Sequence, residues 1–209
     1  MYFAKHLKSL GWEPIVITVD EKQASYPVLD FGLMQETKDI KVVRTETKEP
    51  LKIYAQLLGV SSKKSIPQGQ VNREGWFSKT AAFIRGNFFI PDARKGWIPY
   101  ALTEAKKYIR KEGIQKIVTT GPPHSTHLVG LRLKALFGLQ WWADFRDPWS
   151  DIFYNKDFYR TSWAKKKDVR WEQKVLQNAD GILTTVGGSL VQKFKINAPD
   201  QKFYVLPNG

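Results

Sequence analysis

The residues of this chain best suited to chemistry gather in two short stretches. Gly121-Pro122-Pro123-His124-Ser125-Thr126-His127 holds two of the three histidines, and Asp144-Phe145-Arg146-Asp147-Pro148-Trp149 sets three charges beside a tryptophan. A histidine changes charge near neutral pH, so His124 can move a proton or bind a phosphate or a sugar hydroxyl. Asp147 can accept a hydrogen bond from a substrate hydroxyl or act as its base. Arg146 can hold a phosphate through its guanidinium fork, and Trp149 can stack on the apolar face of a sugar. Each has a plainer role open to it. His124 can cap or pack a helix, and Asp144, Arg146 and Asp147 can form an internal salt-bridge network. His127, one turn further on, reads as structural.

These side chains need a frame, and the flanking sequence supplies one. Ile117-Val118 is an apolar run that leads into the Gly121-Pro122-Pro123 turn. Helical periodicity follows over 125–137, where Ser125 or Thr126 can cap the start. Trp141-Trp142-Ala143 is a second apolar run ending in charge at Asp144. The order is strand, helix, strand, with the polar residues just after each strand, at the carboxyl edge where open parallel sheets bind ligands. The helix start offers free N–H groups that favour anions. Gly187-Gly188-Ser189 is another strand-to-helix turn able to bind an anion. It lacks the Gly-x-Gly-x-x-Gly spacing and the lysine of a phosphate-binding loop.

The rest of the chain repeats the alternation. Helical patterns fall over 1–11, 50–58, 75–89, 97–112, 161–179 and 190–195. Apolar strand-like runs fall over 12–19, 40–44, 116–120, 180–184 and 201–206, and 59–72 reads as a loop rich in Ser, Lys, Gln and Gly. Residues 151–160 read as a polar, aromatic loop. Trp163, Trp171, Val175 and Leu176 are the expected packing residues of the 161–179 helix. Gly11, Gly113 and Gly138 each punctuate a passage from helix to strand. The expected class is α/β: a Rossmann-like three-layer sandwich around a mostly parallel sheet.

Bulk composition narrows the chemistry. The chain has 209 residues, enough for one large domain or two small ones, and 42% are apolar, which supports a real core. There is no cysteine, so disulfide and thiolate chemistry are excluded. The histidines show no metal-ligand spacing. No run approaches the length of a membrane span, and the start is too polar for a secretory signal, so the cytoplasm is the expected compartment. The net charge of +13 points to an anionic partner, and eight tryptophans among many lysines suit an interface with a membrane. The aromatic, basic stretch 75–89 is the expected contact with a membrane face or a greasy substrate, against the alternative of an ordinary packed helix. The basic residues are spread rather than striped, which counts against nucleic acid.

The two central stretches also carry a resemblance. TTGPPHSTHLVG at 119–130 and ADFRDPWSD at 143–151 match it most specifically. Lys8-Ser9-Leu10-Gly11-Trp12 with IVITV, the helix from Trp171-Glu172 to Ala179-Asp180, and Val205-Leu206-Pro207-Asn208-Gly209 extend it along nearly the whole chain. Together they resemble the N-terminal domain of a GT-B glycosyltransferase of the large retaining family 4, or group 1, in its bacterial surface-polysaccharide branch. The resemblance implies one acceptor-binding domain over 1–206, with 207–209 opening a linker to a donor-binding domain beyond this chain. It implies sugar transfer from a nucleotide-sugar to a saccharide or lipid-linked acceptor. The donor phosphate helps deprotonate the acceptor hydroxyl, with no metal or other cofactor required. By position, His124 lies near the transferred sugar, and Arg146 and Asp147 face the cleft.

His124 and Asp147 are therefore the expected catalytic residues. Gly121, Pro122, Ser125, Arg146, Trp149, Gly187 and Gly188 are the expected substrate-binding ones. The family's first strand and its glycine-rich loop have no counterpart here, so an unmet sheet edge or a gap is expected, and the chain alone is expected to be inactive. The expected place of the full protein is the cytoplasm or the inner face of the plasma membrane. A Rossmann oxidoreductase would need a Gly-x-Gly-x-x-Gly turn and a Tyr-x-x-x-Lys pair, which are absent. A non-catalytic α/β domain binding an anionic ligand, nucleic acid or a membrane face, is the alternative.

Overall fold

The structure, a computed structural model, describes residues 2–23, 38–48 and 76–207, together with positions 32 and 35. The helix expected over 50–58, the loop over 59–72 and the last two residues of the 207–209 turn lie outside the described residues.

Six strands are described, all parallel to their neighbours: β1 (Ile15–Val19), β2 (Lys41–Thr45), β3 (Lys116–Gly121), β4 (Gln140–Phe145), β5 (Gly181–Thr184) and β6 (Phe203–Val205). Around them lie α1 (Tyr2–Ser9), α2 (Trp76–Phe88), α3 (Ile98–Glu112), α4 (Ser125–Phe137), α5 (Ser162–Asn178) and α6 (Ser189–Asn197). Two 3-10 turns span Lys95–Trp97 and Phe153–Phe158. This is the expected α/β architecture, built on parallel sheets with flanking helices. Gly113 and Gly138 end α3 and α4 at φ of 63° and 65°, and their N–H groups return to Ile109 O and Lys134 O. A side chain there would force Cβ against the backbone, which is why glycine marks both passages.

The core lies between α3, α4 and α5 and the β4–β5 pair. Trp141, Ala143 and Phe145 of β4, Val175 and Leu176 of α5, and Ile182 of β5 are all 0% exposed. A central parallel strand is covered on both faces, so its sequence is apolar rather than alternating. Each large side chain of this set contributes roughly 2–3 kcal/mol by leaving water.

Three expectations change. β4 runs through Asp144 to Phe145, so Asp144 lies inside the strand and is buried. The segment expected as a polar loop carries the Phe153–Phe158 3-10 turn. On α5 the buried stripe is Ala164, Asp168, Glu172, Val175 and Leu176, while Trp163 is 60% exposed rather than packed. Two acids thus occupy the inward face at helical spacing. A hydropathy reading passes over them.

The strands form two sheets, β1–β2 and β3–β4–β5–β6. Among the described residues, one edge of β1 and one edge of β3 have no strand partner. β1 reads Ile-Val-Ile-Thr-Val, yet none of its residues is fully buried, and Val118 in β3 is 39% exposed. Lys116, at the start of β3, lies 4.6 Å over the Trp12 ring just ahead of β1. Among the described residues no helix is long and apolar enough to cross a membrane.

Candidate functional site

The register of β3 on β4 sets Gly121 beside Phe145, so the two chemistry-bearing stretches leave the sheet side by side. Arg146 N–H donates to Gly121 O at 3.0 Å and ties the two exits together. After Gly121 the chain turns through Pro122 and Pro123, both joined by cis peptide bonds. His124, rather than Ser125 or Thr126, is the N-cap of α4, and it makes no side-chain cap bond. The cap comes from a distant loop: Asp92 Oδ2 accepts from Ser125 N–H at 2.7 Å. Burial raises the Asp92 carboxyl, opposed by the N–H groups of Ser125 and Arg94 that bond it. An anion at this helix start would therefore face a carboxylate already in place.

Above the cap, four rings pack together. His124 stacks on Trp149 with centroids 5.0 Å apart and planes within 3°. His127 stacks on Phe145 at 4.4 Å, and the two histidines are 5.9 Å apart. A Cβ at Gly121 would lie 2.7 Å from His127 Nε2 and 3.2 Å from His124 Nδ1, so a residue without a side chain is required for this stack.

His127 is held by a buried relay. Trp141 Nε1–H donates to Thr119 Oγ1 at 2.8 Å, and Thr119 Oγ1 lies 2.9 Å from His127 Nδ1. The indole can only donate, so the threonine proton is free to go to Nδ1. His127 Nε2 has no hydrogen-bond partner. Burial first, then the nearby His124, holds the His127 pKa well below the ordinary value. His124 is 6% exposed, and both of its ring nitrogens lack a hydrogen-bond partner. Burial lowers its pKa to about 4, against a weaker pull from the Pro148 carbonyl. His124 is therefore a buried neutral imidazole beside the Pro148 carbonyl, with no well-formed hydrogen bond at either nitrogen.

Trp149 is 1% exposed, so its ring is taken up by His124 rather than open to a sugar. Its indole N–H donates to Asp168 Oδ1 at 2.7 Å. Asp168 Oδ2 pairs with Arg160 Nη1 at 2.8 Å, with both side chains almost wholly buried. Burial raises the Asp168 carboxyl, opposed first by Arg160 and then by Trp149. Arg160 Nε–H also donates to Gly86 O of α2 at 3.1 Å. Glu172 is likewise raised by burial and accepts from Ser150.

The charged cluster divides. Arg146 Nε lies 3.2 Å from Asp144 Oδ2, the plainer pairing that the sequence allowed. Asp147 is exposed and has no hydrogen bond or ion pair among the described residues. Thr185 Oγ1–H donates to Arg146 O at 3.1 Å, which brings the turn of Gly187 and Gly188 alongside. Gly188 is the N-cap of α6. Gly121, Pro122, His124, Ser125, Arg146 and Trp149 thus share one rim, Gly187 and Gly188 adjoin it, and Asp147 stands out in solvent. Sequence reasoning missed Asp92, Arg160 and Asp168. The only signal for Asp168 is its place four residues after Ala164 and four before Glu172 on one helical stripe. Among the described residues no group of three or more His, Cys, Asp or Glu side chains is arranged to hold a metal.

No protein-family model matches the chain, and no curated protein matches it. A solved structure described as a sucrose-phosphate synthase from Thermosynechococcus elongatus is similar to it at 14% identity and a TM-score of 0.49, covering 99% of this chain and 81% of that one. A likeness of that degree carries no argument about what this chain does.

Proposed function

We propose that this chain is the acceptor-side half of a retaining GT-B glycosyltransferase that moves a sugar from a nucleotide-sugar to a saccharide or lipid-linked acceptor. The observation that carries the reading is His124, a buried neutral imidazole with two unbonded nitrogens on the rim where β3 and β4 end. A neutral ring can accept from a hydroxyl at one nitrogen and donate at the other. Asp92 already occupies the helix start, so the group that suits this turn is an uncharged hydroxyl rather than a phosphate. Arg146 and Asp147, just beyond, then face the donor phosphate and the acceptor hydroxyl. In the transfer, the bond from the sugar anomeric carbon to the leaving phosphate breaks and the bond to the acceptor oxygen forms. The hydroxyl proton leaves towards the phosphate or Asp147. The donor is held mainly by a second domain, and the step requires no metal. The full protein works in the cytoplasm or on the inner face of the plasma membrane.

The test uses the complete polypeptide that contains this domain, with release of nucleoside diphosphate followed against a panel of nucleotide-sugars. His124→Ala and Asp147→Ala are each expected to lower kcat about 100-fold or more. His124→Gln, which keeps a donor and an acceptor, is expected to retain more activity than His124→Ala. Unchanged turnover in both alanine variants, with the fold intact, overturns the reading and favours a non-catalytic binding domain.

A further inference from the structure

Away from the rim, three aromatic side chains stand in water: Phe88 at 64%, Tyr159 at 54% and Trp163 at 60% exposure. They come from the end of α2, the end of the 3-10 turn and the start of α5, and hydrogen bonds of Asn87 join these pieces. Asn87 Oδ1 accepts from both N–H and Oγ1–H of Thr161 at 2.7 Å, and its Nδ2–H donates to Tyr159 O at 3.3 Å. Two lysines sit among the rings. Lys95 donates to Phe88 O and lies 5.3 Å over the Phe89 ring, while Lys167 lies 4.7 Å over Trp163. Burial lowers the Lys95 pKa, the nearby Lys167 adds to that and Asp92 opposes it. Lys166 is exposed on the adjoining turn of α5. Segments 76–91 and 158–167 contain no acidic residue, and the acids that flank them, Asp92 and Asp157, are half-buried, with Asp92 bonded to the N–H groups of Ser125 and Arg94. The nearest acid along α5, Asp168, is buried and paired with Arg160.

We infer that this surface docks the protein onto an anionic lipid bilayer. The exposed charge here is positive: Lys166 stands in water beside Lys167, while the neighbouring Asp92 and Asp157 are half-buried, so the surface complements an anionic one. The rings decide against a purely electrostatic partner. Tryptophan and tyrosine place an apolar body and a polar tip at headgroup depth, and Phe88 gains only by leaving water. A lysine stem can lie along apolar surface while its ammonium group swings to a phosphate. The Asn87 bonds hold the surface in place before contact, so little ordering is lost on docking. The same 89–95 link carries Asp92 to Ser125 at the rim, so a bilayer here lies next to the candidate site. Delivery of a lipid-linked saccharide rests on the proposed function; the docking itself does not.

Co-sedimentation of the 209-residue chain with vesicles tests this without any enzymatic readout. Binding to phosphatidylglycerol-containing vesicles is expected to exceed binding to pure phosphatidylcholine by about 10-fold or more. The double variants Phe88→Ser/Trp163→Ser and Lys166→Gln/Lys167→Gln should each lose about 10-fold, with circular dichroism and Tm unchanged. Lys107→Gln/Lys111→Gln on α3 removes the same charge elsewhere and should bind as the parent does. Brominated acyl chains should quench the parent more than Trp163→Phe. Equal binding to both vesicle types overturns the inference. So does an equal loss in the α3 variant, or binding that single-stranded DNA competes away while the Phe88→Ser/Trp163→Ser variant binds normally.

Discussion

His124 keeps its charge off because burial, not a neighbour, sets its pKa at about 4. The unfolded chain takes up a proton on this ring below its ordinary 6.5, the folded chain only below about 4. Between those values the unfolded state binds more protons, so the His124 share of stability is full above about pH 6.5 and is lost as pH falls towards 4. That share is on the order of 3 kcal/mol. Asp92, Asp168 and Glu172, raised by burial, slope the opposite way in the acid range, so the comparison that matters is with a variant. His124→Phe keeps a ring against Trp149 and removes the proton. The urea midpoint of the parent, taken relative to the variant, should fall as pH drops across that window; parallel profiles would show that His124 does not titrate as described. The plainer roles open to the charged cluster at the sequence level are also visible here, since Arg146 does pair with Asp144.

At the scale of elements, the link between α2 and the start of α5 is the feature that hydropathy does not foretell. It runs through polar groups: Asn87 to Thr161, Arg160 to the Gly86 carbonyl, and Arg160 to Asp168 and thence to Trp149 beneath His124. Such a buried pair is costly to break, since either partner alone leaves an uncompensated charge. Its closeness depends on Gly86, where a Cβ would lie 2.6 Å from both Phe158 Cβ and Phe158 O. Helix propensity favours alanine over glycine by about 1 kcal/mol. Gly86→Ala is nonetheless expected to destabilise the protein by about 1–3 kcal/mol, because the backbone oxygen of Phe158 cannot turn aside. Thermal unfolding of the variant decides which effect wins, and a raised Tm would mean the α2 contact gives way freely.

Across the whole molecule, the division of the strands into two sheets should show in local stability. β4 and β5 sit within the buried core, whereas β1 and β2 pair only with each other among the described residues and have one buried residue between them, Thr45. Segments with few buried apolar contacts open at lower free energy than the core. Native-state amide exchange is expected to release β1 and β2 at lower denaturant than β4 and β5. A single opening free energy for all four strands would show that the two sheets unfold as one unit.

Much of the fold was legible in the chain. Glycines at 113 and 138, the apolar runs and the α4 period located most of the described elements within a residue or two, though β1 starts at Ile15 rather than Trp12, because those signals depend on local backbone preference and on burial of a periodic face. The meeting of the GPPH turn with the Asp144–Trp149 stretch followed from the strand-helix-strand order, since right-handed parallel connection leaves little alternative. Tertiary structure decided the rest. It set Asp92, distant in sequence, on the start of α4; it buried Trp149 against His124 and left Trp163 in water; and it put Asp168 and Glu172 on the inner face of α5. None of these is written in hydropathy. A buried acid or an exposed tryptophan depends on which partner lies opposite, and that is fixed only once distant segments have packed together.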